Sequence, residues 1–132
     1  MQDIEDEFAF LGDWEERYRH VIELGKAMPA LPIALKTDAS KIQGCVSQVW
    51  LVAKRQDAGT YSFSGDSDAH IVRGLVALLL LLIEGKTGAE ILNMDIRGFF
   101  ERIGLADNLS PQRANGLNAM IRRVQDIASQ AQ

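Results

Sequence analysis

The sequence predicts an α+β fold in which a small antiparallel sheet, of about three strands, packs on helices. Three observations lead there. Capped, amphipathic helical patterns fill both ends of the chain; the stretch between residues 46 and 64 is instead rich in β-branched and aromatic side chains; and the two kinds of segment do not alternate strictly, as a doubly wound fold requires.

Ile4, Phe8 and Leu11 have helical spacing, so the chain opens with a short amphipathic helix ending at Gly12. Asp13 can then cap a second helix, with Glu16 as its capping-box partner and Trp14, Tyr18, Val21 and Ile22 on the buried face; Gly25 is the expected stop. Pro29 and Pro32 make residues 27–40 an irregular connection. Val46 to Arg55 reads as a strand, Gln56-Asp57-Ala58-Gly59 as a turn, and Thr60 to Ser64 as the return strand with Tyr61 and Phe63 on one face. A third strand just before Gly44 is expected, because a two-stranded hairpin alone is marginal in water. Trp50, like Trp14 and Tyr18, is assigned to the core.

Asp66-Ser67-Asp68 offers capping oxygens to a central helix from Ile71 to Ile83, closed by Gly85. Thr87 with Glu90 starts a short helix through Leu92, and Asp95 caps another that carries Phe99, Phe100 and Ile103 to Gly104. Ser110-Pro111 begins the last helix, which buries Leu117, Met120, Ile121, Val124 and Ile127 and runs to about Ala128 despite the turn-like Asn115-Gly116.

With 132 residues, 47% hydrophobic and 24% charged, the chain has the profile of one globular domain spanning 1–132. One cysteine and two histidines exclude an internal disulfide, a CxxC pair and a Cys/His zinc site by counting. A net charge of -4 argues against a broad grip on nucleic acid or anionic lipid. The acidic N-terminus lacks the order of a secretory signal, and the longest apolar run, Leu75 to Ile83, falls well short of the about 20 residues a membrane span needs. A cytoplasmic setting, where a lone thiol stays reduced, is the expectation.

That thiol is Cys45. On residue type alone it reads first as a small buried hydrophobe. Its position at a junction where Gly44 gives way to strand chemistry argues instead for a thiol presented on a loop, sheltered by Val46, Val49 and Leu51. A hydrolase would need a histidine base, and His20 and His70 both read as surface residues.

Gly44-Cys45-Val46-Ser47-Gln48-Val49-Trp50, Gly65-Asp66-Ser67-Asp68-Ala69 with Ile71-Val72 and Gly74-Leu75, and Leu109-Ser110-Pro111-Gln112-Arg113 with Asn115-Gly116-Leu117 resemble the three signature blocks of the SufE/CsdE family of sulfur acceptors. Trp14-Glu15-Glu16-Arg17-Tyr18 and Ile22-Glu23-Leu24-Gly25 are similar to its N-terminal block, so the likeness covers nearly the whole chain. Val46 stands where the family usually has Gln. The resemblance implies a single SufE-like domain with an IscU-like fold. It implies that Cys45 takes sulfane sulfur as a persulfide from a cysteine desulfurase of the SufS or CsdA kind, stimulating that enzyme. The sulfur would then pass to an iron–sulfur scaffold complex of the SufBCD kind. The pyridoxal phosphate belongs to the desulfurase; no cofactor, metal, nucleic acid or membrane partner is implied for this chain, and it is not a stand-alone enzyme. Both the Suf and Csd branches share these blocks.

Thiol chemistry adds supporting residues. Cys45 must ionise to attack sulfur, and Arg113, a cation electrostatically misplaced in the first turn of a helix, is the candidate to favour the thiolate, the alternative being a solvated first-turn residue. Ser47 and Gln48 are candidates to hydrogen-bond the loop or the persulfide, or else face solvent on a strand edge, and Asp68 is either a capping or first-turn acid or part of the desulfurase surface. Residues 41–48 are expected to form a loop that extends on docking. Two other readings stand beside this one: a noncovalent desulfurase adaptor with a structural Cys45, and a small cysteine hydrolase using His20 or His70. An exposed apolar patch would also support a weak homodimer.

Overall fold

Asp13 starts the first long helix of the computed structural model, which describes residues 2–130. Its carboxylate accepts the Glu16 amide at 2.8 Å, so the Asp13 half of the expected box forms. Before it lies α1 (Gln2–Phe10), which buries Phe8; α2 follows over Trp14–Ala27. Helix α2 does not stop at Gly25. It runs two residues further because Gly25 lies flat against α3, where a Cβ would meet the Gly74 amide nitrogen at 2.7 Å. Trp14 and Tyr18 stack at 5.7 Å on a half-buried face rather than deep in the core. The connection to the sheet is irregular, as its prolines require, apart from one 3-10 turn at Ile33–Leu35.

The sheet pairs β1 (Val49–Arg55) with β2 (Tyr61–Ser67) in antiparallel register from Val49↔Ser67 to Arg55↔Tyr61. Gly59, at φ +78, turns the hairpin. Two boundaries differ from expectation: β1 begins at Val49 rather than Val46, and β2 extends past Ser64 to Ser67. The third strand is reduced to one bridge, Lys41↔Trp50, held by Leu51 N–H to Ser40 C=O (2.9 Å) and Ile42 N–H to Val49 C=O (2.8 Å). The remedy for a marginal hairpin is instead the helical layer beneath it: α3 (His70–Ile83) packs on β2, on α2 and on the last helix. Ten of the fourteen α3 residues are buried, which makes it the central element. The outer edge of β2 is covered by residues 84–87, with Tyr61 N–H donating to Lys86 C=O and Phe63 N–H to the Glu84 carboxylate, both at 2.9 Å.

Helices α4 (Gly88–Leu92) and α5 (Ile96–Arg102) begin as the sequence predicts. Thr87 and Glu90 exchange both capping-box bonds, and Asp95 accepts the Gly98 amide at 3.0 Å. Helix α6 (Pro111–Gln130) opens with Ser110 Oγ accepting the Arg113 amide. It passes unbroken through Asn115-Gly116, buries Ala128, and leaves Ile127 only partly covered.

The Asp66-Ser67-Asp68 segment does not cap α3. The cap position is Ala69, with no side-chain bond, because Asp66 and Ser67 still belong to β2. Asp66 is 2% exposed and lies in a polar knot: it accepts the Leu31 and Ser67 amides, and pairs with Arg73 at 3.0 Å and Lys36 at 3.4 Å. Arg73 also donates to the Gly25 and Met28 carbonyls, so one ion pair ties β2, α3 and the end of α2 together. Trp50 is corrected as well; it is half-exposed, with the Lys36 ammonium 4.8 Å from its ring centroid.

Burial alone would raise the Asp66 pKa, but the Leu31 and Ser67 amides and the Arg73 and Lys36 cations outweigh it and hold the carboxyl below its ordinary range. A depressed native pKa stabilises the fold above the unfolded value, near pH 4, and that contribution is lost as pH falls through the native value. Asp66→Asn is therefore expected to lower stability by about 3 kcal/mol at pH 7, with the gap to the parent protein narrowing below about pH 4. Urea unfolding at pH 7 and pH 3 measures it, and a gap independent of pH would refute the ion-pair account.

Candidate functional site

Between the last bridge residue, Ile42, and the first strand residue, Val49, six residues (43–48) form a loop over the start of α6. Ile42 and Val49 are both buried and bonded to each other, so the loop leaves and returns at one point. Gly44 takes φ +90 and turns the chain so that Cys45 faces inward. Its Sγ lies 3.7 Å from the Gly116 carbonyl oxygen, a weak thiol hydrogen bond. The sequence signal that reads as a turn, Asn115-Gly116, is here a bare patch of helix under the sulfur; a Cβ at Gly116 would sit 3.5 Å from Sγ.

Beside the thiol opens a cavity of about 410 Å3, with Ser47, Ser110, Gln112 and Arg113 on its polar side and Val72 and Met120 on its apolar side. The fold thus brings Cys45, Ser47 and Arg113 together from two distant segments. Ser47 lies in the loop, not on a strand edge. Gln48 and Asp68 form a separate pair at the loop's return: Gln48 N–H donates to Asp68 Oδ1 at 3.0 Å, and Asp68 N–H to Gln48 C=O at 3.3 Å. Asp68 is therefore neither a helix cap nor a cavity residue; it fastens the loop to β2. Val46, beside the cysteine, is 77% exposed and forms the outer tip.

The two histidines do not reach this site. His20 lies 2.8 Å from Glu7 Oε1, in a geometry poor for a hydrogen bond, with its ring against Phe8; His70 is an exposed first-turn residue of α3. Neither lines the cavity, which leaves Cys45 without the base that a hydrolase needs.

Burial pushes the Cys45 thiol pKa above its ordinary value. The Arg113 guanidinium does not reverse this. It donates to the Tyr18 hydroxyl at 3.3 Å, bridging α6 to α2, and makes no hydrogen bond to the sulfur. Arg113 as the cation that ionises Cys45 is thus not what this loop position provides. In the inward position the thiol is protonated at neutral pH and weakly nucleophilic. Its alkylation by iodoacetamide is expected to rise with pH to a midpoint above that of a free thiol. Asp68→Ala, which frees the loop's return, is expected to raise the rate at pH 7 by about threefold to tenfold, since one hydrogen bond to a carboxylate is worth ~1 kcal/mol. An unchanged rate would show that the Gln48–Asp68 pair does not hold the loop in.

Among the described residues no three His, Cys, Asp or Glu side chains group to hold a metal, and no helix is long and apolar enough to cross a membrane.

Comparison with known proteins identifies the family. Residues 2–128 match the SufE family, described as an Fe-S metabolism associated domain. The chain is 50% identical over 131 residues to an uncharacterized SufE-like protein of Rhizobium meliloti (strain 1021), covering 97% of this chain and 94% of that one. It is likewise 50% identical to an uncharacterized SufE-like protein of Rhizobium etli, covering 97% and 88%. The solution structure of a hypothetical protein from Thermus thermophilus superposes with a TM-score of 0.79 at 22% identity, covering 98% and 93%, which shows a shared fold. A sequence match that runs through the loop, its fastening to β2 and the start of α6 places this protein in the SufE family.

Proposed function

We propose that this protein is a sulfur carrier: Cys45 accepts sulfane sulfur from the persulfide of a cysteine desulfurase, stimulates that enzyme by removing its product, and delivers the sulfur for iron–sulfur cluster assembly. Family membership supports the coarse role, an accessory protein of sulfur transfer rather than a stand-alone enzyme. The observation that carries the finer reading is the inward, half-buried Cys45 on a loop hinged at Ile42 and Val49, beside a polar-walled cavity and without any second cysteine.

The step balances without an outside oxidant. The Cys45 thiolate attacks the terminal sulfur of the donor persulfide, a new S–S bond forms at Cys45, the donor's S–S bond breaks, and the donor cysteine leaves as thiolate. Electrons are conserved, and the terminal proton stays with the transferred sulfur or moves to solvent. A second thiol on this chain would attack the Cys45 persulfide, form a disulfide and expel sulfide, so a single cysteine suits a carrier.

The raised pKa supplies the order of events. Inside, the thiol is protonated and protected; turned out into a partner's site, it loses the desolvation that suppresses ionisation and gains nucleophilicity. Ser47, Ser110 and Gln112, which line the cavity, would hydrogen-bond the extra sulfur once the loop folds back, and Arg113 would offset a persulfide anion. The test is intact mass after incubation with cysteine and a desulfurase: a gain of one sulfur atom, mapped to Cys45 by peptide mass, is expected. No gain, alongside a desulfurase that turns over, would overturn the carrier reading.

A further inference from the structure

The outer edge of β1 is a half-used strand partner. In antiparallel pairing a residue's N–H and C=O both point to the same neighbour, alternating along the strand. Even-numbered residues of β1 face β2; odd-numbered ones face outward, where Val49 and Leu51 bond Ile42 and Ser40. The chain then peels away. Thr37–Ser40 folds into a turn fastened by Ser40 Oγ, which accepts the Thr37 amide at 3.0 Å and donates to the Leu35 carbonyl at 2.7 Å. This leaves the Ala53 N–H and C=O and the Arg55 N–H with no hydrogen-bond partner among the described residues.

Two hollows flank that bare edge. On the helix side, Ala53, Arg55 and Tyr61 meet Arg123 and Asp126 of α6 around an open, polar depression of about 730 Å3. Along the peeling segment, Ala34, Leu35, Leu51 and Val52, with the hydroxyl residues Thr37 and Ser40, wall a smaller hollow of about 290 Å3. A strand added here would send alternate side chains toward a hollow with two arginines, Arg55 and Arg123, against one carboxylate, Asp126, and toward a mainly apolar one. Lys54 and Arg55 add positive charge along the edge of a chain whose net charge is negative.

We propose that the β1 edge at residues 53–55 is a docking site for an extended segment of a partner protein that alternates acidic and apolar residues. The segment would continue, as a true third strand, the pairing that residues 40–42 begin. A second copy of this chain is a poor occupant, because β1 paired with β1 across a two-fold axis sets Lys54 and Arg55 against the same cations. The site lies on the far end of the sheet from the Cys45 loop, so it would tether a partner while leaving the thiol free.

The probe is an acetylated, amidated hexapeptide alternating valine and glutamate, titrated into the 15N-labelled protein. Binding is expected to shift the Ala53 and Arg55 amides and slow their hydrogen exchange by about tenfold or more near saturation. Ala53→Pro removes the outward N–H at a position where an edge strand tolerates proline, and Arg55→Glu with Arg123→Glu reverses the charge. Each is expected to weaken binding at least about tenfold, roughly 1.4 kcal/mol, with Cys45 alkylation unchanged. Absence of shifts up to millimolar peptide, shifts that map elsewhere, or equal binding of the valine–lysine counterpart would overturn the proposal. So would a concentration-dependent dimer that Ala53→Pro dissolves, which would give the edge to a second copy. Loss of the Cys45 sulfur gain with peptide binding intact would defeat the carrier reading alone.

Discussion

Cys45→Ser is expected to abolish sulfur transfer to background while leaving the thermal midpoint nearly unchanged. The loop is fixed by its feet and by the Gln48–Asp68 pair, none of which involves the sulfur, and the Cys45–Gly116 contact is long and weak. Serine fits the same space with a better donor to the Gly116 carbonyl. It fails chemically: a hydroxyl has no accessible anion near neutral pH and no sulfur with which to form the persulfide bond. Intact mass and desulfurase turnover, measured in parallel, separate the readings. Neither sulfur gain nor stimulation is the carrier's signature. Stimulation that survives without sulfur gain would instead make this chain a noncovalent adaptor.

The second large effect is structural. Gly74→Ala is expected to destabilise the fold by about 3 kcal/mol or more, against the roughly 1 kcal/mol that alanine gains over glycine inside a helix. Steric conflict decides the sign. A Cβ at Gly74 would lie 2.2 Å from the Val21 carbonyl oxygen and 2.7 Å from its carbon, so backbone, not a movable side-chain tip, is in the way. Relief requires α2 and α3 to separate where Gly25 also lies against Gly74, and that crossing positions both the Arg73 knot and Tyr18, on which Arg113 rests. Urea unfolding gives the stability loss, and a stabilised Gly74→Ala protein would contradict the crossing described here.

Much of this architecture could be read from local chemistry. Asp13, Thr87, Asp95 and Ser110 start their helices where expected because each cap acts within three residues, and the apolar run at 71–83 could only be central. Long-range chemistry was less legible. Asp66 and Asp68 look like cap residues until β2 is known to extend through Ser67; then one becomes the centre of a buried knot and the other the fastening of the cysteine loop. Gly25 reads as a stop because its role, close approach to Gly74, involves a residue far along the chain. In the site, Cys45 stood out by its uniqueness and setting, and Ser47 and Arg113 do share its cavity. The inward turn of the thiol and the raised pKa that follows depend on Gly116 passing beneath it, which no spacing in the sequence expresses.

The hinge at Ile42 and Val49 also sets a length. Cys45 is three residues from the nearer foot, and a chain spans at most about 3.6 Å per residue, so its Cα cannot stand farther than about 11 Å from that of Ile42, and its thiol only a side chain's length beyond that, while that foot stays buried. A sulfur donor within that radius of its own surface is served by the loop alone. A donor deeper than that must come outward itself, on a mobile segment of its own, to meet the thiol partway. The geometry of two hydrogen-bonded feet therefore places a limit on the shape of the partner: the transfer distance has to be shared, and this protein's share of it is short.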